Sequence, residues 1–232
     1  EILPQRLSDS ISRGEVELVV INEGSLEQSC ISAYRFALEK WGDTALLSPI
    51  FCVGDALAIS PALYNLRVPV FFNTAKGLLD ESVSQALLRG RFKRLLVLAG
   101  EEGISGTMLE PFVQAGIEIV RYVAKNEYQA NVLILDWYVE ECFKQDVGAP
   151  DKLVVVSSKH PEDAFTVGAY AAHENAPVML NDPTQLDSVA NAIKIIESFG
   201  GSIRTLNFVG DEALFSKLDQ DLLRRVAASL LE

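Results

Sequence analysis

Histidine and cysteine are scarce, at 2 and 3 of 232 residues. His160 and His173 are too few and too far apart to build a metal cluster, so no metal site is expected. Cys30, Cys52 and Cys142 are odd in number and show no CxxC spacing, which leaves neither a zinc site nor a disulfide framework. Cys30 and Cys142 lie in apolar helical patterns and Cys52 just past a strand-like run, so all three read as small buried hydrophobes. Basic charge is also short: 20 Lys and Arg stand against 32 Asp and Glu, a net charge of −12. That balance argues against a nucleic-acid surface and against a general polybasic membrane surface, while leaving room for a local basic pocket. No apolar run approaches the roughly 20 residues of a membrane span, and no secretory signal is visible. The common enzyme signatures are missing as well. There is no GxSxG elbow, no GxGxxG, and no Gly-Lys-Ser/Thr ending after the loop at Gly100–Ser105, where Glu101 and Glu102 would repel phosphate. That loop reads as a tight strand-to-helix turn. The acidic pairs Glu101-Glu102 and Glu140-Glu141 read as solvated helix faces rather than acid/base partners.

What the chain does have is a repeat. Gly54–Asn73 aligns without a gap on Glu162–Asn181, placing Asp55 on Asp163 (163 − 55 = 108), Pro69 on Pro177 and Asn73 on Asn181 at the same spacing. Leu7–Gly14 resembles Leu109–Gly116 at a spacing of 102 (116 − 14), each a short amphipathic helix stopped by Gly. Val97–Ser105 resembles Asn207–Phe215 around Gly100 and Gly210, at 110 (210 − 100), which puts two extra residues near Gly200–Gly201. A module copied within one chain more often serves binding or scaffolding than one-site chemistry.

Short runs of Val, Leu, Ile and Phe predict strands at Val16–Ile21, Ala45–Ile50, Val68–Phe72, Arg94–Ala99, Ile117–Tyr122, Leu153–Ser157, Pro177–Leu180 and Arg204–Val209, each apolar on both faces as in a covered parallel sheet. Helical spacing fills Asp80–Arg89, Glu127–Phe143 and Asp187–Phe199. The alternation implies parallel strands joined by right-handed crossovers. The landmarks divide the chain into an N-terminal helix at 1–14, a first unit at 15–115 and a second at 116–232. Glu1–Arg13 is expected to be the closing helix of a preceding unit or a stand-in for it, so that the chain begins in mid-array. Its stripe of Leu3, Leu7 and Ile11 is expected to dock on the first unit, and a surface suited to a third unit is expected to be apolar.

These landmarks resemble the cell wall-binding repeat 2 family of Gram-positive surface proteins. The residues that carry the likeness are Asp55-Ala56-Leu57 and Asp163-Ala164-Phe165 at a helix head, Pro69-Val70-Phe71-Phe72-Asn73 and Pro177-Val178-Met179-Leu180-Asn181 in the middle strand, and Ala99-Gly100-Glu101-Glu102-Gly103-Ile104-Ser105 in the late loop. The family's opening survives in part from Arg121-Tyr122 to Asn131; Glu127 stands where the family has Arg, and Ala130 where it has Thr. The first copy shows only Gly24 to Ser29 in that region, without the Arg or Tyr. The resemblance implies an α/β fold of two tandem Rossmann-like, toprim-like units with small parallel sheets flanked by helices. It also implies a noncatalytic, secreted, cell-wall-located module without cofactor, and a polysaccharide or teichoic-acid-like wall polymer as partner, with no nucleic acid and no membrane insertion. Family modules commonly pack in threes, which implies an oligomer or further repeats. The topoisomerase-primase type needs a Glu and an Asp-x-Asp to hold magnesium; the sole Asp-x-Asp here, Asp219-Gln220-Asp221, lies in the terminal helix.

The candidate ligand-binding set at the strand ends is Asp55, Asn73, Gly100, Ser105, Arg121, Asp163, Asn181 and Gly210. Structural roles compete with that reading: Asp55 and Asp163 as helix N-caps, Asn73 and Asn181 as side-chain turns. The other functional reading is an intracellular Rossmann-like domain binding a small metabolite or nucleotide, or an enzyme of that kind.

Overall fold

The computed structural model describes residues 5–21, 23–50, 60–74, 77–125, 127–144, 148–160 and 163–231. Among the described residues, seven short apolar runs become strands in two separate parallel sheets. The first sheet holds β1 (Thr44–Pro49), β2 (Val70–Asn73), β3 (Arg94–Val97) and β4 (Glu118–Arg121), in the order β2-β1-β3-β4. The second holds β5 (Lys152–Ser157), β6 (Val178–Asn181) and β7 (Thr205–Val209), in the order β6-β5-β7. Central β1 and β5 are buried along nearly their whole length, as strands covered on both faces must be. Pro49 pairs with Asn73 and Ser157 with Asn181, so the two asparagines hold the same place in their sheets.

The helices are α1 (Gln5–Ser12), α2 (Leu26–Phe36), α3 (Ser60–Asn65), α4 (Glu81–Arg89), α5 (Gly106–Gln114), α6 (Glu127–Lys144), α7 (Asp163–His173), α8 (Leu186–Ser198) and α9 (Lys217–Ser229). Their starts follow from local chemistry. Ser25 accepts from the Gln28 amide ahead of α2, and Asp80 accepts from the amides of Ser82 and Val83 ahead of α4. Ser216 and Asp219 form a reciprocal capping box at α9. Each cap answers backbone donors that the first helical turn leaves without partners and contributes about 1 kcal/mol.

One helix joins the two halves. The apolar residues of α6 face two ways: Ile134, Trp137 and Tyr138 pack on the first sheet with Leu46 and Leu96, while Leu135 packs with Val155 and Met179 of the second. Burying a side chain of that size contributes about 1.5–3 kcal/mol. The junction is also polar. Arg94 of β3 donates to buried Glu141 of α6 at 3.2 Å, and Asn65 of α3 donates to Asn175, just past α7, at 2.8 Å. Asn131 of α6 lies against the outer edge of β6, where its amide nitrogen donates to the Val178 carbonyl (3.1 Å) and its oxygen accepts from the Leu180 amide (2.9 Å). A side chain there does the hydrogen bonding of a neighbouring strand and closes the edge.

The structure corrects four sequence expectations. Val16–Ile21 is not a strand; it runs without regular structure and its apolar side chains are exposed, because among the described residues no strand lies beside it. Helix α1 makes no extended contact with any other described element, so it does not dock on the first sheet; Leu3 and the Leu7 side chain lie outside the described residues. The fourth strand of the first sheet, β4, comes from beyond residue 116, so that sheet reaches into the stretch given to the second unit. The late landmark is one residue out of step. Thr44 pairs with Arg94, and Lys152 with Thr205, which sets the spacing of β3 and β7 at 111 (205 − 94). The Gly100 carbonyl accepts from Gly103 and Ile104 just as the Asp211 carbonyl accepts from Leu214 and Phe215, so Gly100 matches Asp211. Gly210 alone of the two glycines needs its residue type for conformation: its φ is +132° and an added Cβ would lie 2.8 Å from Leu214 Cδ1.

Candidate functional site

The carboxyl ends of the strands are the place to look, since open parallel sheets bind there. In the second sheet Asn181 ends β6 and donates to Ser188 of α8, through the hydroxyl at 3.3 Å. The Asp182 amide donates to the same hydroxyl at 2.7 Å. Buried Asp182 accepts from the amide and hydroxyl of Thr184, at 2.9 and 2.7 Å, and pairs with Lys159, two residues past β5, at 3.2 Å. Burial pushes the Asp182 carboxyl up, but the Thr184 hydrogen bonds and the Lys159 charge outweigh it and hold it below its ordinary value. Tyr128 of α6 and Ser158 share a hydrogen bond of 2.7 Å beside this cluster.

The first sheet carries a related arrangement with other residues. The Asn73 amide nitrogen donates to the Leu78 carbonyl at 3.1 Å, and its oxygen accepts from the Asp80 amide at 2.9 Å. Buried Glu27 of α2 accepts from the Thr74 amide at 2.9 Å and from its hydroxyl. Burial raises this carboxyl as well, and the hydrogen bonds from Thr74 and from its own amide bring it net below its usual range. Asn73 and Asn181 therefore tie strand ends to the helices that follow, which is the turn-forming role.

Gly100, Ser105 and Arg121 come together at one loop. Arg121 donates to the carbonyls of Ala99 (2.8 Å) and Ile104 (2.6 Å) and lies 3.5 Å from Glu101, whose other oxygen accepts from the Gly106 amide at 2.7 Å. A guanidinium fixed on two carbonyls clamps the turn between β3 and α5. Ser105 is the N-cap residue of α5, and at the 111 spacing its counterpart is Ser216, the N-cap of α9. Asp163 is the first helical residue of α7 rather than its cap, where its charge suits the positive end of the helix dipole. Asp55 lies outside the described residues, as does Cys52. The candidate set is thus dispersed over several strand ends rather than gathered in one.

Sequence reasoning missed Lys159, Asp182 and Thr184, and also Glu27 with Thr74. The signal was available in the strand register, because Lys159 lies two residues past Ser157 and Asp182 directly follows its partner Asn181. Burial keeps the Cys142 thiol up, as it does that of half-buried Cys30, so neither is an activated nucleophile. Among the described residues no group of three His, Cys, Asp or Glu side chains could hold a metal ion, and no helix is long and apolar enough to cross a membrane.

One family model matches residues 121–217, from the last residue of β4 to the first of α9. It is Cell wall binding domain 2 (CWB2). The CWB2 match starts on Arg121, where the family's opening was read from the residues. Two Bacillus subtilis (strain 168) proteins are similar over somewhat longer stretches. One is the Amidase enhancer, 25% identical over 132 residues, which are 57% of this chain and 17% of that protein. The other is N-acetylmuramoyl-L-alanine amidase LytC, 22% identical over 139 residues, 60% of this chain and 26% of that protein. The chain thus spans little more than a quarter, at most, of either relative. Among solved structures, Cwp8 from Clostridium difficile superposes with a TM-score of 0.73 at 20% identity, covering 97% of this chain and 36% of that one. Cwp6 from the same organism gives 0.72 at 13% identity, covering 89% and 31%. These likenesses show the fold, an α/β arrangement of small parallel sheets flanked by helices.

Proposed function

We propose that this chain is a noncatalytic module of the bacterial surface that attaches to an anionic cell-wall polymer of the teichoic-acid type. The observation that carries the reading is the CWB2 match over 121–217, set in a chain whose two sheets repeat the same strand register. The chemistry of the strand ends agrees with it. Glu27, Asp182, Asn73 and Asn181 are buried and hydrogen-bonded to the chain itself, which serves structure rather than proton transfer. The relatives whose names contain an amidase are much longer than the stretch they share with this chain, so hydrolysis belongs to their remaining parts in this reading.

The net charge of −12 adds a signature. An acidic module approaching an anionic polymer is repelled at long range, so added salt should improve retention by screening, unlike the salt sensitivity of a polybasic binder. The test is to mix the chain with purified Gram-positive walls and spin them down. The reading expects the chain in the pellet, more of it at moderate salt, and no fall in wall turbidity over hours. A chain that stays in the supernatant, or one that clears the walls, would overturn it.

A further inference from the structure

A cleft of about 240 Å³ lies between α2 and α4 and runs along α4 from Ser82 to Gly90. Arg35 and Leu38 line it on the α2 side, Gln85 and Arg89 on the α4 side, and Tyr34 forms part of its wall. Gln28 of α2 donates to the Ser82 hydroxyl of α4 at 2.7 Å and ties the two helices at one end. Arg35 and Arg89 stand in the last turns of their helices. The basic end of the cleft therefore lies toward the amino ends of the strands, away from Asn73 and the carboxyl ends.

The second sheet shows why the cleft is open. At a spacing of 109, Val83 and Leu87 fall on Ala192 and Ile196 (192 − 83 and 196 − 87), and all four are buried in the cores of their sheets. Ala86 and Gly90 then fall on Ile195 and Phe199, two large buried side chains that fill the matching place. Tyr34 falls on Leu135 at 101 (135 − 34), each facing its own core, which sets Arg35 on Asp136 and Arg89 on Ser198. Asp136 is hydrogen-bonded to Ser198 there. The first sheet thus has smaller residues and two arginines where the second has a closed polar pair.

A last-turn cation suits the negative end of a helix dipole, and that is the competing account of each arginine. It leaves three observations over. The Tyr34 carbonyl at the end of α2 already accepts from the Trp41 indole at 2.9 Å, and α8 has no basic residue in its last turn. Arg35, Arg89 and nearby Arg91 make no ion pair among the described residues, in a chain where acids outnumber bases. The Tyr34 hydroxyl has no hydrogen-bond partner among them either, although its side chain is only 8% exposed. Burial pushes that hydroxyl up, and the charge of Arg91 opposes the effect. Among the described residues no carboxylate lines the cleft; the nearest on α4, Glu81, is taken by the Gln85 amide at 3.0 Å.

We propose that the α2–α4 cleft binds a phosphoryl group, held by Arg35 and Arg89 with the Tyr34 hydroxyl and the Gln85 amide as further donors. Guanidinium groups match phosphate oxygens two at a time, and the apolar Leu38 at the cleft leaves room for the carbon skeleton that carries the phosphate. The site is the local basic pocket that the overall charge left room for. The choice of phosphate over carboxylate rests on the wall-polymer reading, and the anion site itself does not.

Amide chemical shifts during titration with glycerol phosphate test it, with glucuronate as the carboxylate control at the same salt concentration. The amides of Arg35, Gln85, Arg89 and Gly90 should move together and saturate with glycerol phosphate, and should barely move with glucuronate. Arg35→Gln/Arg89→Gln changes two exposed side chains, so it should keep the thermal midpoint and bind about tenfold more weakly or worse. Ala86→Ile keeps both arginines but fills the cleft as Ile195 fills its counterpart, so it should weaken binding as well without lowering the midpoint. Shifts confined to other residues, equal shifts with glucuronate, or a double variant that binds as wild type does would each overturn the proposal. Saturating shifts in a chain that does not pellet with walls would keep the site and sink the wall reading; pelleting without shifts would do the reverse.

Discussion

Arg67 and Asn175 are the two non-glycine residues with positive φ among the described residues, at 57° and 50°, and they lie 108 positions apart (175 − 67). Each ends a helix in the same way. Val68 donates to the Leu63 carbonyl and Arg67 to Tyr64 after α3; Ala176 donates to Ala171 and Asn175 to Ala172 after α7. This is the left-handed helix stop that normally takes Gly. The repeat has therefore kept a strained backbone while changing the residue that bears it.

The two positions should answer differently to glycine. Arg67 is exposed, so Arg67→Gly removes strain and should raise stability by up to about 1 kcal/mol, the relief being partly offset by a looser unfolded chain. Asn175 accepts from Asn65 and from the buried Tyr138 hydroxyl and donates to the Gly148 carbonyl. Asn175→Gly should cost about 1–3 kcal/mol despite the same relief, because buried partners are stranded. Urea unfolding of both variants checks this, and equal shifts would contradict it.

Arg121 separates a structural from a ligand-binding role. Arg121→Gln should release the carbonyls of Ala99 and Ile104 and destabilise the chain by about 1–3 kcal/mol, with faster amide exchange from Gly103 to Gly106. At a temperature where the variant is folded, its wall retention should equal that of the wild type. Unchanged stability with lost retention would make Arg121 a ligand contact instead.

Acid should weaken the fold in a defined direction. Glu27 and Asp182 are both held below their ordinary values, so the stability they add is complete above the usual carboxylate range near about pH 4 and is lost as pH falls through their folded values. The variant Glu27→Gln/Asp182→Asn should be less stable than wild type at neutral pH and lose less on acidification. Urea midpoints from neutral pH down to about pH 3 would show two converging curves. Parallel curves would mean that these carboxylates do not carry the acid dependence.

The sequence pattern disclosed seven of the strands because Val, Leu and Ile runs between turn residues look alike wherever they pair. It could not say which sheet a strand joins. Ile117–Tyr122 and Val16–Ile21 are both short apolar runs with Glu in second place, yet β3 lies beside the first and, among the described residues, no strand lies beside the second. Asn73 and Asn181 were found by repetition, and their turn-forming role was one of the two readings weighed. Asp182 escaped notice because its first-copy counterpart is Thr74, and the carboxylate of that cluster comes from Glu27 on another helix. Repetition finds conserved letters, whereas these polar clusters keep a position and change the residues that fill it.

On the proposed reading, attachment is to the anionic polymer rather than to peptidoglycan. The direct measurement is the bound fraction of this chain on Gram-positive walls before and after mild acid extraction of their phosphate-rich polymer, at one salt concentration. Extraction should abolish pelleting, and the released polymer, added back, should compete for the chain. Equal pelleting with stripped and intact walls would contradict it.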